Sequence, residues 1–381
     1  MHSPKLSSCV ATACTALLAM CPMAFAADQS PSSRAEAIQI AADMRIPAPS
    51  RLTSNGVGFR SISVRDPVNG GTMPGYVFYP SAQAKGVTWR GPYELAATAG
   101  ASAIPGAKPL VVISHGHGGS ALGHHDLATY LASHGFLVAT LEHPKDNFHD
   151  SNGDGHAVVM VGRPVQVSAT ITYLLGDSNW KPLIDPDRIG VAGFSNGGYT
   201  SLLLVGAAPR FSRFIDYCEN SPDDQSICGG ADQLKAESES QGRTIEQTMA
   251  RMQSDLTRWG STEDPRVKAA FAMAPLGLIF DKQGLERIER PIFLYYAADD
   301  QVLRPLHNAL HIAPLIPTLA AVKVVPKAGH YAFLAPCTPQ LAKEAPDLCG
   351  DPPGVDRVQV HAEINETALA FFRKTLAASA H

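Results

Sequence analysis

The sequence predicts an α/β fold: a mostly parallel central sheet with helices on both faces and a helical, cap-like insertion. Three observations carry this. Short apolar runs of strand type alternate with helix-type stretches, the rhythm of a parallel sheet covered on both sides. Several runs end in glycine-rich or polar turns, at the strand ends where such sheets place their sites. The rhythm breaks once, over residues 209–265, which hold no strand-type run but a helix-forming stretch at 233–259.

The 381 residues are 45% hydrophobic, enough for a large core, and the formal charge of −4 offers no basic surface to a nucleic acid. Residues 1–26 read as a secretory signal peptide, with Lys5, then a small and apolar run, then Ala24-Phe25-Ala26 as a cleavage signal. The run is too short and too alanine-rich for a stable membrane span. A second reading makes Leu18 to Cys21 a lipid-attachment box, against which stands Met20, bulky where a small residue is expected. Either reading makes the protein an exported one. Residues 27–55 form a loose lead-in, and 56–378 one domain that carries the insertion.

Within that domain, 59–64 alternates as a half-buried strand, Asn69-Gly70-Gly71 turns, and 75–79 returns. Residues 82–109, rich in Ala, Gly and Pro, read as a surface excursion. A buried-type strand at 110–114 leads into His115-Gly116-His117-Gly118-Gly119. A helix at 124–134, a strand at 136–141, a polar loop at 142–161 and a helix at 165–175 follow. Asp185-Pro186-Asp187 is a turn into a strand at 189–192. Beyond the insertion come strands at 267–273, 291–297 and 321–325, and a closing helix at 355–378.

Cys9, Cys14 and Cys21 would leave with the signal peptide, and four cysteines remain. Cys218, Cys228, Cys337 and Cys349 fall as two close pairs without zinc-site spacing. In an oxidising compartment the economical pairing is Cys218–Cys228 and Cys337–Cys349, with two other connectivities open.

The chemistry starts at Gly193-Phe194-Ser195-Asn196-Gly197. A serine between glycines, on a sharp strand-to-helix turn, is a nucleophile elbow. The glycines remove Cβ atoms that would crowd the turn. The helix N-terminus faces the oxygen on which negative charge will develop. Such a serine needs a base, an orienting acid and two oxyanion donors. On this architecture the acid precedes the base, each after a strand. After the strand at 291–297 stand Asp299 and Asp300, of which Asp300 is preferred because it directly precedes the turn into Val302 and Leu303. After the strand at 321–325 stands His330, the candidate base. Asn196 and His117 would supply the oxyanion hole through their backbone N–H groups.

Two metal patterns lose on spacing. His115, His117, His124 and His125 include no helical pair with an acid, as zinc would need. Asp150, Asn152, Asp154 and Gly155 match the first half of a calcium loop, but Val161 occupies the position that requires a glutamate. No metal and no cofactor are expected.

These segments resemble an α/β-hydrolase. The stretches VVISHGHGG, ASHGFLVATLEH, DRIGVAGFSNGGY and GHYAFLAPC, with the front VRDPVNGG…VFYP, are similar to the branch holding predicted dienelactone hydrolases and platelet-activating-factor acetylhydrolase-like esterases. The resemblance covers most of residues 57–375. It implies a cofactor-free hydrolase of carboxylic esters, with Ser195 as nucleophile, Asp300 as acid, His330 as base, and His117 and Asn196 as oxyanion residues. The chain departs from dienelactone hydrolases proper, which use a cysteine nucleophile, and carries Phe194 where many relatives have histidine. The partner expected is a small or polymeric ester. An amidase or peptidase on the same fold is the alternative, and an inactive hydrolase-like binding protein is a further one. The oligomeric state is not legible.

Overall fold

The computed structural model describes residues 54–83 and 85–378. The signal peptide, the Cys21 box and residues 27–53 of the lead-in lie outside the described residues.

Among the described residues, nine strands form one sheet, running from Leu319–Val325 at one edge through Ile292–Ala297, Val267–Met273, Ile184–Phe194, Lys108–Ser114, Leu137–Leu141, Thr72–Ser81 and Gly56–Arg65 to Thr98–Ala99 at the other. The front hairpin pairs β1 (Gly56–Arg65) with β2 (Thr72–Ser81), antiparallel over ten residue pairs. On β1, Val57 and Phe59 are buried in the apolar layer on one face and Ile62 and Val64 in the layer on the other, so the expected simple alternation holds only over Ile62–Arg65. The excursion at 82–109 is more ordered than its composition implies. It carries a separate hairpin, β3 (Thr88–Arg90) with β4 (Tyr93–Leu95), and β5 (Thr98–Ala99), which adds to the sheet edge parallel to β1.

The centre is parallel: β6 (Lys108–Ser114), β7 (Leu137–Leu141), β8 (Ile184–Phe194), β9 (Val267–Met273), β10 (Ile292–Ala297) and β11 (Leu319–Val325). The inner strands, β8 from Ile189 onward among them, read as near-continuous apolar runs because helices cover both their faces. β8 starts earlier than its sequence suggests. The Asp185-Pro186-Asp187 turn falls inside it, over residues 185–188, which have no partner in the registers of β6 or β9. Proline has no N–H to give a ladder, so the turn survives as an unpaired stretch.

Two apolar layers flank the sheet. Helix Gly162–Gly176 and helix Asn196–Leu204 cover one face, and helices His125–Ser133 and Arg357–Thr375 the other. All nine residues of Asn196–Leu204 are buried; its polar side chains are hydrogen-bonded, Tyr199 Oη to Met160 O, Thr200 Oγ1 to Asn196 O and Ser201 Oγ to Gly197 O. The closing helix begins after Asp356, whose carboxylate caps the Val358 and Gln359 N–H groups.

After β6 the chain moves outward to β7, then crosses back to place β8 on the other side of β6. Loops therefore diverge above the ends of β6 and β8, leaving a crevice at this switch point. The insertion overhangs it. Its helices are Ser212–Asn220, Gln225–Cys228, Ala231–Ser240 and Ile245–Ser254. The helix-forming stretch at 233–259 thus divides in two. Gly242 takes a φ of 69°, and Thr244 opens the next helix with a reciprocal capping box to Gln247. Phe211, Met249 and Met252 are buried in the main core. The Asp264 N–H donates to Leu204 O at 3.1 Å, bringing together the chain on either side of the insertion. Disulfides join Cys218 to Cys228 and Cys337 to Cys349, the economical pairing. No helix among the described residues is long and apolar enough to cross a membrane.

Candidate active site

Ser195 sits between the end of β8 and the buried helix that follows, with φ 56° and ψ −119°. A non-glycine residue with that φ is strained and must be held by its surroundings. They are tight. A Cβ at Gly193 would lie 2.0 Å from Gly197 O, and one at Gly197 would lie 1.9 Å from Ser114 O. Only glycine fits at either place. The Ser195 N–H donates to Met273 O at 2.9 Å, which ties the turn to the neighbouring strand.

Asp300 and His330 come together. The Asp300 carboxylate is buried, its Oδ1 accepting from the N–H groups of Val302 (2.9 Å) and Leu303 (2.7 Å). Its Oδ2 accepts from His330 Nδ1 at 2.7 Å. Asp299 is exposed. A carboxylate can only accept here, so Nδ1 carries the ring proton and Nε2 is left as the basic nitrogen. Phe194, next to Ser195, packs on the His330 ring with centroids 4.6 Å apart, and places that ring beside the elbow. Among the described residues, no hydrogen bond joins the Ser195 hydroxyl to His330.

His117 and Asn196 are also drawn together, by a residue that sequence reading missed. Asp146 lies in the 142–161 loop, yet its side chain is wholly buried. Its Oδ1 accepts from His117 Nδ1 (2.6 Å) and the Gly118 N–H (3.1 Å). Its Oδ2 accepts from Arg163 Nη1 (2.6 Å) and Asn196 Nδ2 (3.3 Å). Asn196 thus uses its side-chain amide as well as its backbone. As first residue of its helix, its own N–H has no acceptor one turn back. Arg163, also buried, donates further to Ser114 Oγ (3.1 Å) and to His115 O. Burial alone would raise the Asp146 carboxyl, but Arg163 and the His117 hydrogen bond outweigh it and hold the group well below the usual carboxylate range. The same hydrogen bond raises His117 against the opposing effect of burial, and Asp154 adds to the rise. The clue in the sequence is Arg163 itself, a lone cation in the apolar run 157–167.

Below this lies a neutral layer. His143 Nδ1 donates to Gln166 Oε1 (2.7 Å), and its Nε2 accepts from Ser114 Oγ (2.9 Å). His115 donates from Nδ1 to Gly116 O (2.7 Å) and accepts at Nε2 from the His143 N–H (3.1 Å). Burial, then Arg163, lowers both rings, His115 to about 3. Burial also lowers His124, to about 4. His115, His117, His124 and His125 do not converge: His124 packs on Phe194 and His125 on Tyr93. Among the described residues no group of three or more His, Cys, Asp or Glu could hold a metal ion. Asp150, of the half calcium loop, accepts instead from Lys145 Nζ at 2.9 Å.

Above Ser195 lies a cavity of about 480 Å³. Ser195, Asn196 and His117 lie on its floor. Its apolar lining includes Phe214, Ile227, Leu234 and Met249 of the insertion and Leu276 and Leu303 of the body. Its polar lining includes Asn152, Asp154 and His156 of the 142–161 loop and Gln233 and Glu237 of the insertion. His156 Nε2 stands 3.4 Å from Glu237 Oε2, so the loop and the insertion meet at the cavity wall. Contacts from the loop that holds Asp300 secure the insertion: Arg304 to Asp223 (2.8 Å) and Asp224 (3.6 Å), and Ser226 Oγ to Gln301 O (3.1 Å).

A family model of platelet-activating factor acetylhydrolase, isoform II, matches residues 90–149, the stretch from β3 through the glycine-rich loop to Asp146. No curated protein matches the chain significantly. Among solved structures, a ferulic acid esterase from Streptomyces cinnamoneus is similar, with a TM-score of 0.53 and 20% identity over 87% of this chain and 92% of that one. The shared architecture is the α/β-hydrolase fold.

Proposed function

We propose that this chain, an α/β-hydrolase by fold, is an exported serine hydrolase that cleaves carboxylic esters through an acyl-serine. The observation that carries the reading is the Asp300–His330 pair, whose imidazole keeps Nε2 free of the proton and packs on Phe194, the residue before Ser195 on its strained elbow. Ser195 Oγ attacks the ester carbonyl while His330 Nε2 takes its proton, and Asp300 stabilises the imidazolium. The backbone N–H groups of Asn196 and His117 receive the oxyanion. Collapse of the tetrahedral adduct breaks the bond to the alcohol oxygen, which takes the proton back from His330. Water, deprotonated by His330, then releases the acid. The chemistry needs no cofactor.

The family-model match and the esterase neighbour support an ester substrate. The cavity is the size of a small-molecule site, and its apolar lining suits an apolar substituent. Two disulfides and the signal-like N-terminus support export.

Turnover of p-nitrophenyl esters by wild type and Ser195→Ala tests the reading. The expected loss is about 10⁴-fold or more. Labelling with a fluorophosphonate, followed by mapping of the modified residue, should return Ser195. Full activity in the alanine variant, or a label elsewhere, would refute the assignment. Comparing an ester with its matched amide separates esterase from amidase.

A further inference from the structure

We propose that Asp146 is a positioning residue for the oxyanion site: one buried carboxylate holds the two residues whose N–H groups receive the developing negative charge. The inference rests on the esterase reading above and extends it to a residue that does not touch substrate.

Both carboxylate oxygens are fully used. Oδ1 grips the glycine-rich loop twice, through the His117 ring and the Gly118 N–H. Oδ2 reaches the elbow through the Asn196 amide and is countered by Arg163. Arg163 continues to His115 O and Ser114 Oγ, so the clamp is referenced to the end of β6. Loop and elbow belong to different segments, and one pair of charges sets their spacing. That spacing matters because an oxyanion donor helps only when aimed at the position the oxygen takes in the transition state. A loop of glycines has little stiffness of its own. An Asp146 displaced from its place would leave the His117 N–H free to drift. Arg163 supplies charge balance, since an isolated carboxylate would not stay ionised at that depth.

The test uses Asp146→Asn in the full chain. The amide keeps the shape but turns an N–H donor toward Arg163 and Asn196, or toward His117 and Gly118. Competent enzyme is counted by fluorophosphonate titration taken to completion, so misfolded protein does not enter kcat. We expect kcat per titrated site on p-nitrophenyl butyrate to fall about 10²-fold, as for loss of one oxyanion donor, with KM little changed. Inhibition by butane boronic acid, whose tetrahedral adduct carries the oxyanion, should weaken in step. Inhibition by butyrate, the planar product, should not.

If Asp146→Asn yields no folded protein, His117→Ala and His117→Asn take its place, because the His117 ring is half exposed. His117→Ala should lose about tenfold in kcat per site together with boronate affinity. His117→Asn, which puts an N–H near the Nδ1 position, should recover most of both. Unchanged kcat per titrated site in Asp146→Asn would overturn the proposal, as would equal weakening of boronate and butyrate, or equal impairment of the two His117 variants. A fully active Ser195→Ala would overturn the esterase reading itself, and is a separate result.

Discussion

His124 lies under the elbow with its ring edge-on to Phe194, centroids 5.6 Å apart, and its Nε2 buried without a partner. With His115 and His143 it forms a set of buried imidazoles that burial keeps neutral. Each would take up a proton on unfolding once the pH drops below about 6.5. The unfolded chain then binds more protons than the folded one. Stability is therefore full above that pH and falls as pH drops from about 6.5 toward the folded values of about 3 for His115 and 4 for His124. The slope reaches at most about 1.4 kcal/mol per pH unit for each group. Urea unfolding between pH 7.5 and 4.5 should show the decline. His124→Phe, which keeps the ring and removes the titrating group, should flatten it by one group's share; an unchanged slope would remove His124 from the account. Ser195 and His330 were legible as residues because each stands at a strand end in a turn of marked composition. Asp146 was not, because nothing in a polar loop's sequence says that one of its aspartates turns inward to meet an arginine.

The element whose limits decide most about substrate is the helical roof. The Cys218–Cys228 bridge fastens helix Gln225–Cys228 to helix Ser212–Asn220, and Ser226 and Ile227 beside it line the cavity. The bridge closes a short loop, so removing it should loosen that wall by up to about 3 kcal/mol. In the double variant Cys218→Ser with Cys228→Ser, we expect KM for a bulky ester to rise while kcat holds, because Ser195, Asp300 and His330 stand on the body. Steady-state kinetics with esters of graded size would show it; an equal loss in kcat would place the bridge in the catalytic machinery. The close spacing of the cysteines made this pairing readable. The break between the last two roof helices was not read, although Gly242 and the Thr244–Gln247 capping pair carry it, because helix propensity on both sides outweighed one glycine.

At the scale of the whole molecule, sheet and roof differ in how they are held. β8 from Ile189 onward and nearly all of β9 are buried, whereas helix Ser212–Asn220 has no buried residue and Ala231–Ser240 has only Ser238. Local opening is cheapest where burial is least. Hydrogen exchange read by mass spectrometry should find 212–240 exchanging well before β8 and β9, with the segment around Met249 and Met252 between them. Protection across 212–240 equal to that of β8 would contradict this. The parallel centre was legible because its strands are long apolar runs with punctuated ends. β5 was not, since its two residues join the sheet through backbone bonds that leave no periodic pattern.

The bond from the Asp264 N–H to Leu204 O has a consequence for descent. Chain departs for the roof and comes back at a single spot, at the far end of the helix that begins at the elbow. A lineage can therefore lengthen, shorten or swap what lies between without shifting the register of any strand. New substrate preferences can arise by recombination at that junction, while Ser195 and its partners are inherited unchanged.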